Sequence, residues 1–167
     1  MAQDKVTIRQ FGPEEWPVFK EARLKALQSD PEFFGSNYER EAAYTDEDWR
    51  ETVDNPDGAV FGIFHGSSLI GVTGIYINPQ DPATAWLWAD WMEKKWRRKG
   101  HFIKAYEARI AWAKARTGLK RVAVSHRKSD IVSAKLHQKC GFVFTHAEAR
   151  VWSDGKHEPH HFFELRL

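Results

Sequence analysis

Apolar positions recur with two different periods along the chain, and the switches between them mark its elements. Residues 6–9 alternate as a short strand. Gly12-Pro13-Glu14-Glu15 then reads as a helix start, with proline and two acids in the first turn, and the helix runs to about Gln28. Val18, Ala22 and Ala26 fall on one side of it with Phe19 and Leu27 beside them, and Ser29-Asp30-Pro31 breaks it. Residues 32–44 are aromatic without a clear period, which predicts a loop or short helix. Thr45 caps a further helix with Asp48 at its third position, and Asn55-Pro56-Asp57-Gly58 ends it.

Residues 59–64 and 69–77 are β-rich runs around His65-Gly66-Ser67-Ser68, an antiparallel hairpin. Residues 84–92 make a third strand of that set, with Trp86, Trp88, Asp90 and Met92 on one side. Phe102, Ile103, Tyr106, Ile110 and Ala113 form the stripe of a helix that ends near Thr117, with Gly118 as its C′ residue. A short buried strand over 122–125, a helix over 129–140 stopped by Gly141, and strands over 142–152 and 160–167 around Ser153-Asp154-Gly155-Lys156 complete the order. This order predicts an α/β (α+β) fold: a mixed, mostly antiparallel sheet of about six or seven strands flanked by about four helices.

Composition adds limits. A chain of 167 residues with 42% hydrophobic content and no long polar tract is expected to be one domain over residues 1–167. A net charge of +2 favours local anion binding over a nucleic-acid scaffold. No apolar run is long enough for a membrane span, and residues 1–9 carry no apolar leader core, so the expectation is a cytoplasmic protein without a membrane partner. The single cysteine, Cys140, excludes an intramolecular disulfide and a cysteine-based zinc cluster. Eight tryptophans are the outlier, and some of those rings are candidates for a pocket wall.

The strongest candidate chemistry is Trp96-Arg97-Arg98-Lys99-Gly100-His101, which lies between a strand and the first turn of a helix. Unpaired amides and the positive end of the helix dipole suit a phosphate there, Gly100 can take a positive φ, and Arg97 can bind phosphate oxygens bidentately. A solvated basic turn would show the same residues. Adding the order of elements, the chain resembles the GNAT-type N-acetyltransferases. In that family the turn reads Arg or Gln, two variable residues, Gly, one variable residue, then Gly or Ala. Here it is Arg97, Arg98-Lys99, Gly100, His101, Phe102, so the last position departs. The family's second motif, Asn-x-x-Ala-x-x-Leu-Tyr, three residues, Gly-Phe, corresponds to Asp130, Ser133, Leu136, His137 and Gly141-Phe142.

The resemblance implies acetyl-CoA as cofactor, direct transfer to a small-molecule or peptide amine in a ternary complex, and a homodimer left open. It implies that Arg97, Arg98, Lys99, Gly100, His101, Phe102 and Asp130 bind the cofactor, and that a bulged strand near Trp91 or Met92 polarises the carbonyl. Arg127 and Lys128 are expected to meet the outlying phosphate of coenzyme A, unless they are exposed loop cations without a ligand. Asp90, beside Trp86 and Trp88, is the candidate base, its pKa raised by the indoles, unless it pairs with Lys94, Lys95 or Arg97. His137 is the candidate acid for the leaving thiolate, on a partly open helix flank. Phe33, Phe34, Trp86 and Trp88, with Tyr38, wall the acceptor pocket, and Glu39 or Glu41 attracts the amine. Rival readings are a fold that binds coenzyme A without catalysis, a basic nucleic-acid module at residues 94–99, and metal binding by His157, Glu158, His160 and His161.

Overall fold

The alternating and helical runs become seven strands and five α-helices in a computed structural model, which describes residues 5–167. Met1 to Asp4, part of the stretch read for a leader, lie outside the described residues. The strands β1 (Val6–Gln10), β2 (Gly58–His65), β3 (Ser68–Ile77), β4 (Thr84–Met92), β5 (Arg121–Arg127), β6 (Val143–Glu148) and β7 (His160–Arg166) form one sheet in the order β1-β2-β3-β4-β5-β7-β6. Every neighbouring pair is antiparallel except β4 and β5.

The helices α1 (Trp16–Ser29), α2 (Tyr38–Ala42) and α3 (Asp46–Val53) cover one face, where Phe19, Ala26 and Trp49 pack on Val60, Val72 and Trp91. The other face carries α4 (Phe102–Lys114) and α5 (Ile131–Lys139), where Tyr106, Trp112 and Ala113 meet Ile75, Leu87 and Val122. The expected capping box of α3 is present, with Thr45 Oγ1 accepting from the Asp48 amide and Asp48 Oδ2 accepting from the Thr45 amide. The buried stripe of α1 is Phe19, Ala22, Arg23, Ala26 and Leu27, whereas Val18 is exposed. Arg23 can join that stripe because Glu41, equally buried, takes two bonds from it at 2.9 Å each.

Two departures from the expected pattern shape the molecule. The strand expected over 142–152 ends at Glu148, and Trp152 instead folds into a loop, its indole covered by Arg127 and Arg150. Helix α4 ends at Lys114 with Ala115 as cap, four residues before Gly118.

The central feature is β4. Its parallel pairing with β5 covers only Thr84, Ala85 and Trp86, so its outer half has no partner on that side. Its pairing with β3 jumps from Gly74 opposite Trp88 to Val72 opposite Trp91, and Ala89 takes φ +62°. The two residues Ala89 and Asp90 thus oppose Thr73 alone, a bulge that reverses the alternation. Beyond it Trp91 packs with the α1 face and Met92 with Ala105 of α4.

Candidate active site

Where β4 and β5 part, a cleft of about 720 Å³ opens, lined on one side by the loop into α4 and on the other by the segment after α1. Trp86, Trp88, Asp90, Trp91, Met92, Arg97, Arg98, Gly100, His101, Phe102, Asp130, His137, Phe33 and Phe34 all line it, whereas Lys99, Tyr38, Glu39, Glu41, Arg127 and Lys128 lie outside its lining. Their individual settings differ from expectation in ways that matter.

The loop after β4 is held from behind. Arg97 does not face a phosphate: its Nη2 and Nη1 donate to Asp30 at 2.7 and 3.2 Å, and its Nε donates to the Met92 carbonyl at 2.7 Å. Burial alone would raise the Asp30 carboxyl, but the bonds from Arg97 and from Trp91 Nε1 hold it below the usual range. This pair pins the loop to the end of α1. The turn then passes through Arg98 at φ +62° and Gly100 at φ +79°, and a Cβ at Gly100 would meet nothing within 4 Å. Among the described residues, the amides of Arg98 to Phe102 donate to no protein carbonyl or side chain. Consecutive free amides around left-handed residues at a helix start form an anion cradle. Phe102, the departure from the family's small residue, turns its ring into the core against Tyr106 and the residues around Met92. The turn is therefore open, and its free donors are backbone amides rather than Arg97.

Asp90 lies on the face opposite Trp86 and Trp88, because the bulge at Ala89 turns it toward α4. Its Oδ1 accepts from Thr73 Oγ1 at 2.5 Å and from Arg109 Nη1 at 2.6 Å. Its Oδ2 has two longer contacts, Arg109 Nη2 at 3.3 Å and the Tyr106 hydroxyl at 3.4 Å. The partner is thus Arg109, not Lys94, Lys95 or Arg97. Arg109 is fully buried, and burial together with the Asp90 charge pushes the Tyr106 hydroxyl well above its ordinary value.

His137 is buried, 2% exposed, rather than on an open flank. Its Nδ1 lies 3.0 Å from Nδ1 of His126 on β5, so one ring donates and the other accepts. Burial, with His126 and Arg109 nearby, lowers its pKa to about 3, and His126 is lowered too. Both imidazoles are neutral at pH 7.

Asp130 caps α5: its Oδ1 accepts from the Ser133 amide at 3.0 Å and its Oδ2 from Ser133 Oγ at 2.6 Å. Arg127 is 5% exposed and bonded to Asp154, Glu158 and the Glu32 carbonyl, so it braces the β6–β7 loop rather than meeting a phosphate. Glu158 is occupied by Arg127 and Ser129, and no cluster of three metal-ligating side chains occurs among the described residues. Glu41 is held by Arg23, and Glu39 lies outside the cleft lining. Tyr38 packs beside the α1 core instead. Tyr106, Arg109 and His126 were not expected at the site. Arg109 carried a signal, since a cation at the spacing of Phe102, Tyr106 and Ala113 sits on a buried stripe and demands a carboxylate.

Comparison with known proteins places this arrangement. No curated protein sequence matches the chain. Similar solved structures include an acetyltransferase of GNAT family from Streptococcus pneumoniae, 17% identical, with TM-score 0.82 over 98% of this chain and 100% of that one. A putative acetyltransferase from Salmonella typhimurium with its cofactor acetyl-CoA is 17% identical, TM-score 0.77, over 97% of this chain and 94% of its own. Spermidine N-acetyltransferase from Vibrio cholerae, in complex with CoA and spermine, is 12% identical, TM-score 0.76, over 96% and 95%. The family model described as acetyltransferase (GNAT) matches residues 22–142, which run from within α1 through the bulged strand and the amide cradle to the end of α5. The chain belongs to the GNAT acetyltransferase family.

Proposed function

We propose that the protein transfers an acetyl group from acetyl-CoA to a primary amine, directly within a ternary complex. The observation that carries this is the shared cleft: a free amide cradle on one wall and, along its floor, the outer half of β4, which has no partner on its β5 side. Acetyl-CoA supplies an acyl group activated as a thioester. The chain's own residues do the rest.

The amides of Arg98 to Phe102 hold a pyrophosphate, with the exposed Arg98 and Lys99 adding charge around it. A backbone amide of the bulged strand near Trp91 or Met92 polarises the thioester carbonyl. An alkylammonium with a pKa of about 10.4 costs roughly 4 to 5 kcal/mol to deprotonate at pH 7. Asp90 Oδ2, the less heavily bonded oxygen, accepts that proton through water. His137, neutral in the cleft, donates a hydrogen bond from Nε2–H to the leaving thiolate, which takes its proton from solvent; this requires His137 Nδ1 to accept from His126 Nδ1–H. His126 thereby fixes the tautomer. No helix among the described residues is long and apolar enough to cross a membrane, and we place the reaction in the cytoplasm.

Against the nucleic-acid alternative, Trp96 packs beside His65 with ring centres 4.5 Å apart and Arg97 is tied to Asp30. The saturation of Asp90 Oδ1 favours a second reading, a coenzyme A binder without turnover. A thermal shift with acetyl-CoA, followed by an amine panel read as thiol release, separates the two. At 100 times the dissociation constant, binding adds about 2.7 kcal/mol and raises the melting temperature by roughly 5 to 10 °C. No shift at millimolar acetyl-CoA rejects both readings, and a shift without thiol release on any amine leaves only the second.

A further inference from the structure

Every carboxylate lining the cleft is already engaged: Asp30 by Arg97 and Trp91, Asp90 by Arg109 and Thr73, and Asp130 by Ser133. The cations are not balanced in the same way. Arg150, in the loop between β6 and β7, lines the cleft and has no carboxylate partner among the described residues. It is nevertheless held in place. Its Nη2 donates to the Gly35 carbonyl at 3.1 Å, its guanidinium lies 4.4 Å from the Trp152 ring centre, and its Nη1 sits 3.3 Å from Nδ1 of His160. That histidine lies close by, with its pKa lowered to about 4 by burial and by Arg150 itself, so it adds no second charge at neutral pH.

The sequence has made room for this arrangement. A Cβ on Gly35 would lie 2.9 Å from Arg150 Nη2, so a side chain there would displace the guanidinium from this position. Phe33, half exposed, and Trp86 supply apolar surface on the same cleft, away from the amide cradle that precedes α4. A guanidinium fixed by a carbonyl and an indole, with open valence toward a cleft, is built for an oxyanion.

We propose that Arg150, with Gly35 and Trp152 holding it, forms an oxyanion subsite, so that the acceptor is a primary amine carrying a carboxylate or phosphate and not a polyamine. The inference rests on the acetyltransferase reading and specifies its substrate. A polyamine would need an uncommitted carboxylate for its second ammonium, and the cleft lining contains none. A site that presents a fixed donor rejects an analogue lacking the acceptor, because the donor is then left unpaired in a partly buried place.

The test is an initial-rate comparison of matched acceptors: the common amino acids against their carboxamides, 2-aminoethyl phosphate, and spermidine, with acetyl-CoA saturating. We expect at least one carboxylate or phosphate acceptor to exceed its neutral counterpart at least tenfold in kcat/KM, the amino acids and 2-aminoethyl phosphate distinguishing the two anion sources. In Arg150→Gln that ratio falls toward one, Arg150→Lys restores part of it, and Gly35→Ala moves it in the direction of Arg150→Gln, while coenzyme A affinity by calorimetry stays within twofold. Because the ratio compares two acceptors on one variant, partial misfolding cannot mimic it. Equal rates on acids and amides, preference for spermidine, or an unchanged ratio in Arg150→Gln overturns the inference while the transferase reading stands. Absence of coenzyme A binding by the native chain overturns that reading and the inference together.

Discussion

A neutral imidazole at position 137 determines how this molecule responds to acid. In the unfolded chain His137 takes up a proton near pH 6.5, whereas in the native cleft it does so only near pH 3. Between those values the unfolded state binds more protons, so stability rises with pH, is complete above about 6.5, and is lost as pH falls. Each unit costs about 1.4 kcal/mol for one such group. His126 and His160 act in the same direction. Urea unfolding between pH 7 and pH 5 should show a falling midpoint, and His137→Phe should flatten the slope by about that amount per unit. The same variant should lower kcat roughly 100-fold if its Nε2–H serves the leaving thiolate. A second residue-level consequence belongs to Asp90. Asp90→Asn leaves the fully buried Arg109 without its counter-charge, and because Asp90 is partly exposed the expected loss is near the low end for a broken buried pair, about 3 kcal/mol. Chemical denaturation measures it. A loss below about 1 kcal/mol would mean that Arg109 finds water or another acceptor.

At the scale of elements, what the sequence revealed and what it concealed divide along local and non-local lines. The capping box of α3 and the hairpin of β2 and β3 depend on neighbours within a few residues, and each forms as its pattern indicates, whereas the buried face of α4 is Ala105, Tyr106, Arg109, Trp112 and Ala113 and shares only Tyr106 and Ala113 with the expected stripe. The reversal at Ala89 depends on Thr73 and Gly74 across the sheet, where Trp88 Nε1 would lie 2.5 Å from a Cβ at Gly74. Nothing within β4 announces it, so Asp90 was legible as a cleft residue but not as the partner of Arg109. Arg97 and Arg127 were misread for a related reason. A cation in a loop looks solvated or ligand-facing until the distant carboxylates Asp30, Asp154 and Glu158 are in place. Asp130 offers a clean test of role. As a cap, Asp130→Ala should cost about 1 kcal/mol in unfolding free energy. Coenzyme A affinity, measured by calorimetry, should change less than twofold. A tenfold loss of affinity at unchanged stability would instead make it a direct ligand.

At the scale of the molecule, the fold and the location of the cleft followed from the order of elements, while the balance of charge inside the cleft required the full set of long-range pairs. That balance connects the faces. Asp90 and Arg109 tie β4 to α4, Arg97 and Asp30 tie the cradle loop to α1, and Arg127 ties β5 to the β6–β7 loop. Against these ties stands the seam of three parallel rungs at Thr84, Ala85 and Trp86, where, among the described residues, the ladder of β1 to β4 joins that of β5 to β7. So narrow a join has a consequence in time rather than in space. The two portions of the sheet can lose their ladders separately, and amide hydrogen exchange should resolve them as two protection classes, with the amides of β5, β6 and β7 exchanging faster than those of β2 and β3. In the binding mode we propose, acetyl-CoA lies across the seam and should draw the two exchange rates together. Uniform protection across all seven strands without ligand would show that the core beneath α4 alone makes the sheet a single cooperative unit.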